Sequence, residues 1–403
     1  MKAFIKNMLL LIIAASFAGL VFMSCEKKDE GGTPSISYIR VTDPEKADSH
    51  LTAAYMGDLI AIVGENLGGA REIWFNDQEA YLTPTYITDK TILVNVPSTV
   101  PLELNNKLKI VFDDGYVLLY DFLIDIPGPE IYSIKCEYVP DGGTVILTGD
   151  YFFYPTTVIF PGDLEAEITE LSKTELQVTV PAGSTPGKIK VKTTFGEAES
   201  DFEFRDNRNT ILDFDTRLHE TWTAPIVYAD SAPDPVPCSG NYVTIISDEV
   251  SGWDWENNLI MLYWPKNQGL PETPLATGLV NELVFKFEAN VPIEWHGVRM
   301  EIYMSTYDNS SGHGRDEDSP LPSHARWMPW QDGPYTTDGW ITVSIPLSDF
   351  MFDKNDAENA EQGSRPIPDL SVLTNLVMMV FGPATPPYYP VKICIDNVRI
   401  VPK

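Results

Sequence analysis

Gly57-Asp58-Leu59-Ile60-Ala61-Ile62-Val63-Gly64-Glu65-Asn66-Leu67 is followed by Lys90-Thr91-Ile92-Leu93-Val94-Asn95-Val96-Pro97. The pair recurs as Gly143-Thr144-Val145-Ile146-Leu147-Thr148-Gly149-Asp150-Tyr151-Phe152 and Lys173-Thr174-Glu175-Leu176-Gln177-Val178-Thr179-Val180-Pro181. The spacing gives an internal repeat with a period of about 85 residues. In both copies apolar residues alternate within short runs closed by Gly and Pro, the pattern of strands with one buried face. Each copy also opens with Pro and an alternating strand, Pro34 to Val41 and Pro129 to Lys135. The first half of the chain is therefore read as two small tandem β-sandwiches.

Upstream of the repeat, Lys2 and Lys6 precede an apolar run from Met8 to Met23, too short for a membrane span and suited to the core of a signal peptide. The run ends in Val21-Phe22-Met23-Ser24-Cys25, which resembles a bacterial lipoprotein signal box with Cys25 as the lipid-bearing first residue. Charged residues from Glu26 to Glu30, then Gly31-Gly32-Thr33-Pro34, read as a solvated tether. Cys136, Cys238 and Cys394 remain, with neither the density nor the spacing of a disulfide framework or a zinc site, and are read as small buried hydrophobes.

Downstream, the texture changes. Eight of the nine tryptophans lie after residue 210. Strand-like runs occur at Ile211–Asp215, Tyr242–Ser247, Leu259–Trp264, Leu283–Ala289, Val298–Thr306, Trp340–Ile345, Leu376–Phe381 and Val391–Val401. Joined by long polar loops, they suit a jelly-roll sandwich. An indole offers a wide, stiff, apolar face with one N–H donor at its edge, a natural counterpart to the flat face of a pyranose ring. Trp295 sits in a turn after Val291-Pro292-Ile293-Glu294 and is the first choice for an exposed platform, replaceable by Ala at little cost in stability. In Trp253-Asp254-Trp255-Glu256 a period of two sends both indoles to one side. Trp327 and Trp330 fall in a Pro/Gly-rich segment where a core role is hard to arrange. These five are the candidate glycan-binding residues; Trp264 and Trp340, at strand ends, are assigned to the core.

The formal charge of −30 over 403 residues, with no basic patch, excludes nucleic acid and anionic lipid surfaces as partners but does not repel a neutral glycan. For an enzyme, Asp254 and Glu256 on a strand would stand about 6.5–7 Å apart, near the range for an inverting glycosidase. Asp316-Glu317-Asp318, bracketed by His313 and His324, is a further acidic cluster. Neither group lies in a catalytic signature, and the chain has no metal-protease, nucleophile-elbow or phosphate-loop motif. The sequence therefore predicts a protein that is not an enzyme.

The repeat units resemble the immunoglobulin-like IPT/TIG domain through the strand ending Gly64-Glu65-Asn66-Leu67 and the later strand ending Val96-Pro97, more weakly in the second copy. The last domain resembles carbohydrate-binding modules of the β-sandwich type, through Leu212-Asp213-Phe214-Asp215, Gly339 to Phe350, and the closing Ile393-Cys394-Ile395-Asp396-Asn397-Val398-Arg399-Ile400. A lipid anchor, TIG repeats and a jelly roll in that order are similar to the surface glycan-binding proteins of Bacteroidetes polysaccharide-utilisation loci. The resemblance implies an all-β chain: signal peptide 1–24, lipidated tether 25–33, IPT/TIG domains 34–127 and 128–205, and a glycan-binding β-sandwich 206–403. It further implies a surface-exposed outer-membrane lipoprotein that captures a plant β-glucan, xyloglucan or mixed-linkage glucan, for a neighbouring outer-membrane transporter. Jelly-roll modules of this type often hold a structural calcium, for which Asp213, Asp215 and Asp396 are the expected ligands, although no cofactor is required. A glycoside hydrolase, and an adhesin binding protein through its TIG units, are the alternatives.

Overall fold

The computed structural model describes residues 32–217, 220–221, 224–252, 260–265, 269–305, 323–352, 356, 361–364, 366–367 and 369–403. All its extended elements are β-strands, joined by turns and short 3-10 segments. The chain divides into two compact units, residues 1–126 and 127–403.

In the first unit a three-stranded sheet runs Ser35–Val41, Leu59–Glu65, Thr91–Asn95, and a four-stranded sheet runs Gln78–Ala80, Ala70–Phe75, Lys107–Phe112, Val117–Asp121. Alternation places Ile60, Ile62, Ile92 and Val94 from one sheet against Ile73, Phe75, Leu108 and Ile110 from the other. Burying these faces supplies the main driving force for the sandwich, at about 25 cal/mol per Å² of apolar surface.

The second unit opens with the repeat's other copy, whose strand path is Glu130–Ile134, Thr144–Asp150, Glu175–Thr179, Leu164–Leu171, Thr156–Phe160, Lys190–Thr193, Gly196–Glu199. The two copies share a local device. Gly64 lies so close to Ser35 that an added Cβ would meet its carbonyl at 2.0 Å, and Gly149 meets the Glu130 carbonyl at 1.9 Å. Both first strands are bulged at this pairing. Two residues on, Asn66 and Tyr151 hold positive φ, 57° and 59°. Asparagine adopts that conformation readily, whereas tyrosine does so at some cost, and Tyr151 is steadied by Lys173 Nζ, 4.7 Å from its ring centroid.

The C-terminal sandwich has a five-strand path Ile226–Val227, Tyr242–Val250, Tyr389–Pro402, Leu283–Asn290, Ile341–Pro346, with Thr210–Leu212 pairing off it onto Tyr389–Pro402. Facing it is a sheet ordered Glu220–Thr221, Ile260–Tyr263, Asn375–Phe381, Arg299–Ser305, Ser323–Trp327. Phe285, Phe287, Ile393 and Ile395 meet Met300, Ile302, Met378 and Val380 in the core between them. Seven expected strands recur within a few residues of their predicted ends. The eighth, predicted from Leu259, is described from Ile260, and Ser323–Trp327 is a strand the sequence reading placed in a loop.

The outer face of the first of these sheets packs against the preceding Ig-like domain through a buried ionic network. Arg399 donates from Nη1 to Glu288 Oε2 (2.7 Å) and from Nη2 to Glu137 Oε2 (2.6 Å), while Lys286 Nζ donates to Glu137 Oε1 (2.6 Å). Burial alone would push the Arg399 guanidinium down, but Glu288 and Glu137 outweigh it and hold it further up. Burial raises Glu288 despite Arg399. Such a network needs every partner present, because a lone buried charge is strongly unfavourable.

Candidate functional site

The outer face of the other sheet carries a second set of charged and aromatic side chains, most of them buried. Period-two alternation along Arg299–Ser305 sends Met300, Ile302 and Met304 into the core and Arg299, Glu301 and Tyr303 outward. Register aligns Arg299 with Phe381, Glu301 with Met379 and Arg326, and Tyr303 with Val377 and His324. Tyr303, Val377, Met379 and Phe381 form a small apolar cluster along this face.

At the Arg299–Phe381 end of the face lies a cleft of about 620 Å³ whose lining includes Trp330, Phe381, Phe352, Arg299, Arg326 and Gln331. Planar cations alternate with rings in its wall: the Arg299 guanidinium lies 5.1 Å from the Phe381 ring centroid and that of Arg326 4.5 Å from Phe352. Glu301 is buried beneath them. Its carboxylate accepts from Arg299 Nε at 2.9 Å, and His324 Nδ1 stands 3.4 Å away. Burial alone would raise the Glu301 carboxyl, but His324 and Arg299 outweigh it and hold it down at about 2. Neither ring nitrogen of His324 has a hydrogen-bond partner among the described residues. Such an arrangement offers flat apolar surface beside fixed donors, the elements needed to hold a ring edged with hydroxyls.

The predicted platform residues divide. Trp295 is a correction: it is fully buried, at 0% exposure, rather than facing water. Its backbone pairs with Tyr335 in both directions (2.9 and 3.0 Å), closing the turn so that the indole swings inward. There its Nε1 donates to Val298 O (2.7 Å), and its ring meets Trp327 edge-on at 5.0 Å. Trp327 is corrected likewise. It ends a strand rather than lying in a loop, sits opposite core-facing Met300, and packs edge-on against Phe287 at 5.2 Å. Trp330 is half-buried and lines the cleft, with its Nε1 donating to the same Val298 carbonyl at 2.7 Å. Trp253 and Trp255, with Asp254 and Glu256, lie outside the described residues, as do Cys25, Trp222, His313 and Asp316-Glu317-Asp318. The described chain stops before Trp253 at Gly252, whose position for a Cβ is 3.1 Å from Ala384 Cα and 3.5 Å from the carbonyl of cleft-lining Pro383. Sequence reasoning missed Phe381, Phe352, Arg299 and Arg326; the outward alternation Arg299, Glu301, Tyr303 was the available signal.

The three acids expected to hold calcium are engaged in hydrogen bonds. Asp213 Oδ1 is used by the N–H groups of Asp215, Thr216 and Arg217 within its own turn. Asp215 caps Asn241 N, and Asp396 accepts from Ser239 and Asn397 N. No group of three or more His, Cys, Asp or Glu side chains among the described residues could hold a metal ion.

Residues 204–402 match the family model described as the surface glycan-binding protein B xyloglucan binding domain. The C-terminal domain belongs to that family. This glycan-binding domain and the Ig-like units before it align with the crystal structure of surface glycan-binding protein PbSGBP-B from Prevotella bryantii. The two are 26% identical, the alignment covers 92% of this chain and 99% of that one, and the TM-score is 0.67. An SGBP-B from a complex xyloglucan utilization locus in Bacteroides uniformis shares the fold, at 18% identity and TM-score 0.50, over 92% of this chain and all of that one. An IPT/TIG domain-containing protein of Bacteroides ovatus is 36% identical over 140 residues, 33% of this chain, and the match spans only 28% of that relative's length. The family is one of surface proteins that bind glycan and are not enzymes.

Proposed function

We propose that the chain is a cell-surface capture protein for a neutral β-glucan, xyloglucan first and mixed-linkage glucan second, and that the cleft beside Trp330 is where the polymer lies. The observation that carries this reading is the cleft on the outer face of the second sheet, where Trp330, Phe352 and Phe381 adjoin two guanidinium groups held in place by buried contacts. Trp253 and Trp255 remain candidate glycan contacts on the sequence pattern alone. In this reading Cys25 carries the lipid that holds the protein on the outer membrane, and a neighbouring outer-membrane transporter receives the glycan.

Stacking one indole face removes perhaps ~100 Å² from water, or about 2.5 kcal/mol gross. Association costs at least about 4 kcal/mol. Two or three rings plus edge hydrogen bonds therefore reach roughly the mM to μM range. Many anchored copies meeting one polymer raise this by avidity.

Affinity electrophoresis of the full chain in gels containing xyloglucan, mixed-linkage glucan or an unrelated polysaccharide tests the reading, with reducing ends assayed in parallel. Retardation by the β-glucans without new reducing ends is expected. Trp330→Ala should weaken it about tenfold, or about 1.4 kcal/mol, while melting only a few degrees lower. New reducing ends would overturn the binding role, and free migration through both β-glucans would overturn the ligand class.

A further inference from the structure

Three cysteines lie among the described residues, and two of them face each other. Cys136 belongs to the second Ig-like domain and Cys238 to the C-terminal sandwich. They share a small buried cluster with Tyr138, packed on by Val139 and Trp340. Both thiols are free and buried, and both line one groove beside Trp340. Cys136 Sγ also donates to Tyr138 O (3.1 Å), and Cys238 Sγ to Asp396 Oδ2 (3.5 Å). Cys394 lies elsewhere, against Thr244 Oγ1 at 3.5 Å.

The backbone around the pair is immobilised from both sides. Glu137 N donates to Thr342 Oγ1 (2.7 Å) and Thr342 N donates to Lys135 O (2.9 Å), so both residues flanking Cys136 are bonded to the same threonine of the sandwich. Glu137 is clamped by Arg399 and Lys286. On the other side, Ser239, next to Cys238, donates to Asp396 Oδ2 at 3.0 Å. Two thiols held together by this many independent contacts have a very high effective concentration for each other.

We infer that Cys136 and Cys238 are a disulfide-forming pair that covalently ties the second Ig-like domain to the glycan-binding sandwich. The bond forms by two exchange steps with a disulfide-bearing oxidant of the cell envelope. One cysteine thiolate attacks the oxidant's disulfide, forming a mixed disulfide and releasing one oxidant thiolate. The second cysteine thiolate then attacks the protein sulfur, the mixed disulfide breaks, and the oxidant leaves as a dithiol. Two protons and two electrons have passed from the cysteine pair to the oxidant. Surface and periplasmic proteins meet such oxidants, whereas cytosolic chains do not. A groove of about 280 Å³, lined by Pro140, Val145, Pro237 and Trp340, opens onto the two thiols. Burial pushes the Cys238 thiol well above its ordinary range, so the finished fold reacts slowly and the bond closes as the chain folds after export.

Differential alkylation and peptide mapping of the full chain recovered from the cell envelope tests this. The expected result is a Cys136 peptide linked to a Cys238 peptide, with Cys394 free. Reduction should lower the melting temperature by about 5 °C or more, because the bond spans a long stretch of chain. The double variant C136S/C238S should lose that reduction-dependent shift. Should that variant fail to fold, the Cys394→Ala chain carries the test, since the linked peptide must persist there. Fully alkylatable Cys136 and Cys238 in the envelope protein, unchanged after refolding with oxidised glutathione, would overturn the inference, as would either cysteine linked to Cys394.

Discussion

The two outer faces of the C-terminal sandwich pose the same physical problem and answer it differently. Each carries charged side chains at positions that alternate with the core: Lys286, Glu288 and Arg399 on one, Arg299, Glu301 and Arg326 on the other. On the first face the neighbouring Ig-like domain supplies Glu137, and bonds of 2.6 to 2.7 Å join it and Glu288 to Lys286 and Arg399. On the second face the described protein leaves a cleft, and the buried Glu301 is paired with Arg299 and His324. One set of charges acts as a joint between domains, whereas the other lines a cleft.

The largest test of this contrast is removal of its central cation. Arg399→Ala strands Glu288 and Glu137 in the interior and should cost on the order of 5 kcal/mol in urea unfolding of the full chain. A loss below about 1 kcal/mol would mean that the joint is hydrated and the two faces do not differ as described. Trp295→Ala comes next, on the order of 4 kcal/mol, because the indole fills the core between the sheets. If that variant melted like the parent yet lost glycan retardation, the core assignment of Trp295 would be wrong. The smallest effect concerns pH. Glu301 is held near 2, below its ordinary 4.5, so its contribution is complete above about 4.5 and drains away as pH falls toward 2. The stability gap between the parent and Glu301→Gln should therefore narrow by on the order of 2 kcal/mol from pH 5 to pH 3. A gap that is flat or widens on acidification would show that His324 and Arg299 do not hold this carboxylate.

Much of the fold was legible because its determinants are local. Gly64 and Gly149 mark matched close approaches in the two repeat copies, and alternation along Lys107–Phe112 or Leu283–Asn290 announces strands directly. The site was less legible, since side-chain direction at a turn depends on distant chain. Trp295 follows a proline and precedes Gly297, which reads as an exposed corner, yet its pairing with Tyr335, far along the sequence, turns the ring inward. Trp327 was misplaced because its strand, Ser323–Trp327, is short and lacks the β-branched residues that mark strands. The acids Asp213, Asp215 and Asp396 are of ligand type, but local N–H and O–H groups occupy the first and last of them, and spacing alone gives no hint of that. Phe381 and Phe352 reach the cleft from separate segments, a convergence no window of sequence contains.

One carbonyl, that of Val298, accepts from both Trp295 and Trp330, each at 2.7 Å. A fully enclosed ring and a half-buried one are thereby hitched to a single atom, and the outer ring inherits its azimuth from the packed interior. On the proposed reading, a sugar settling on Trp330 would meet a ledge already fixed in orientation, with little rotational freedom left to surrender on contact.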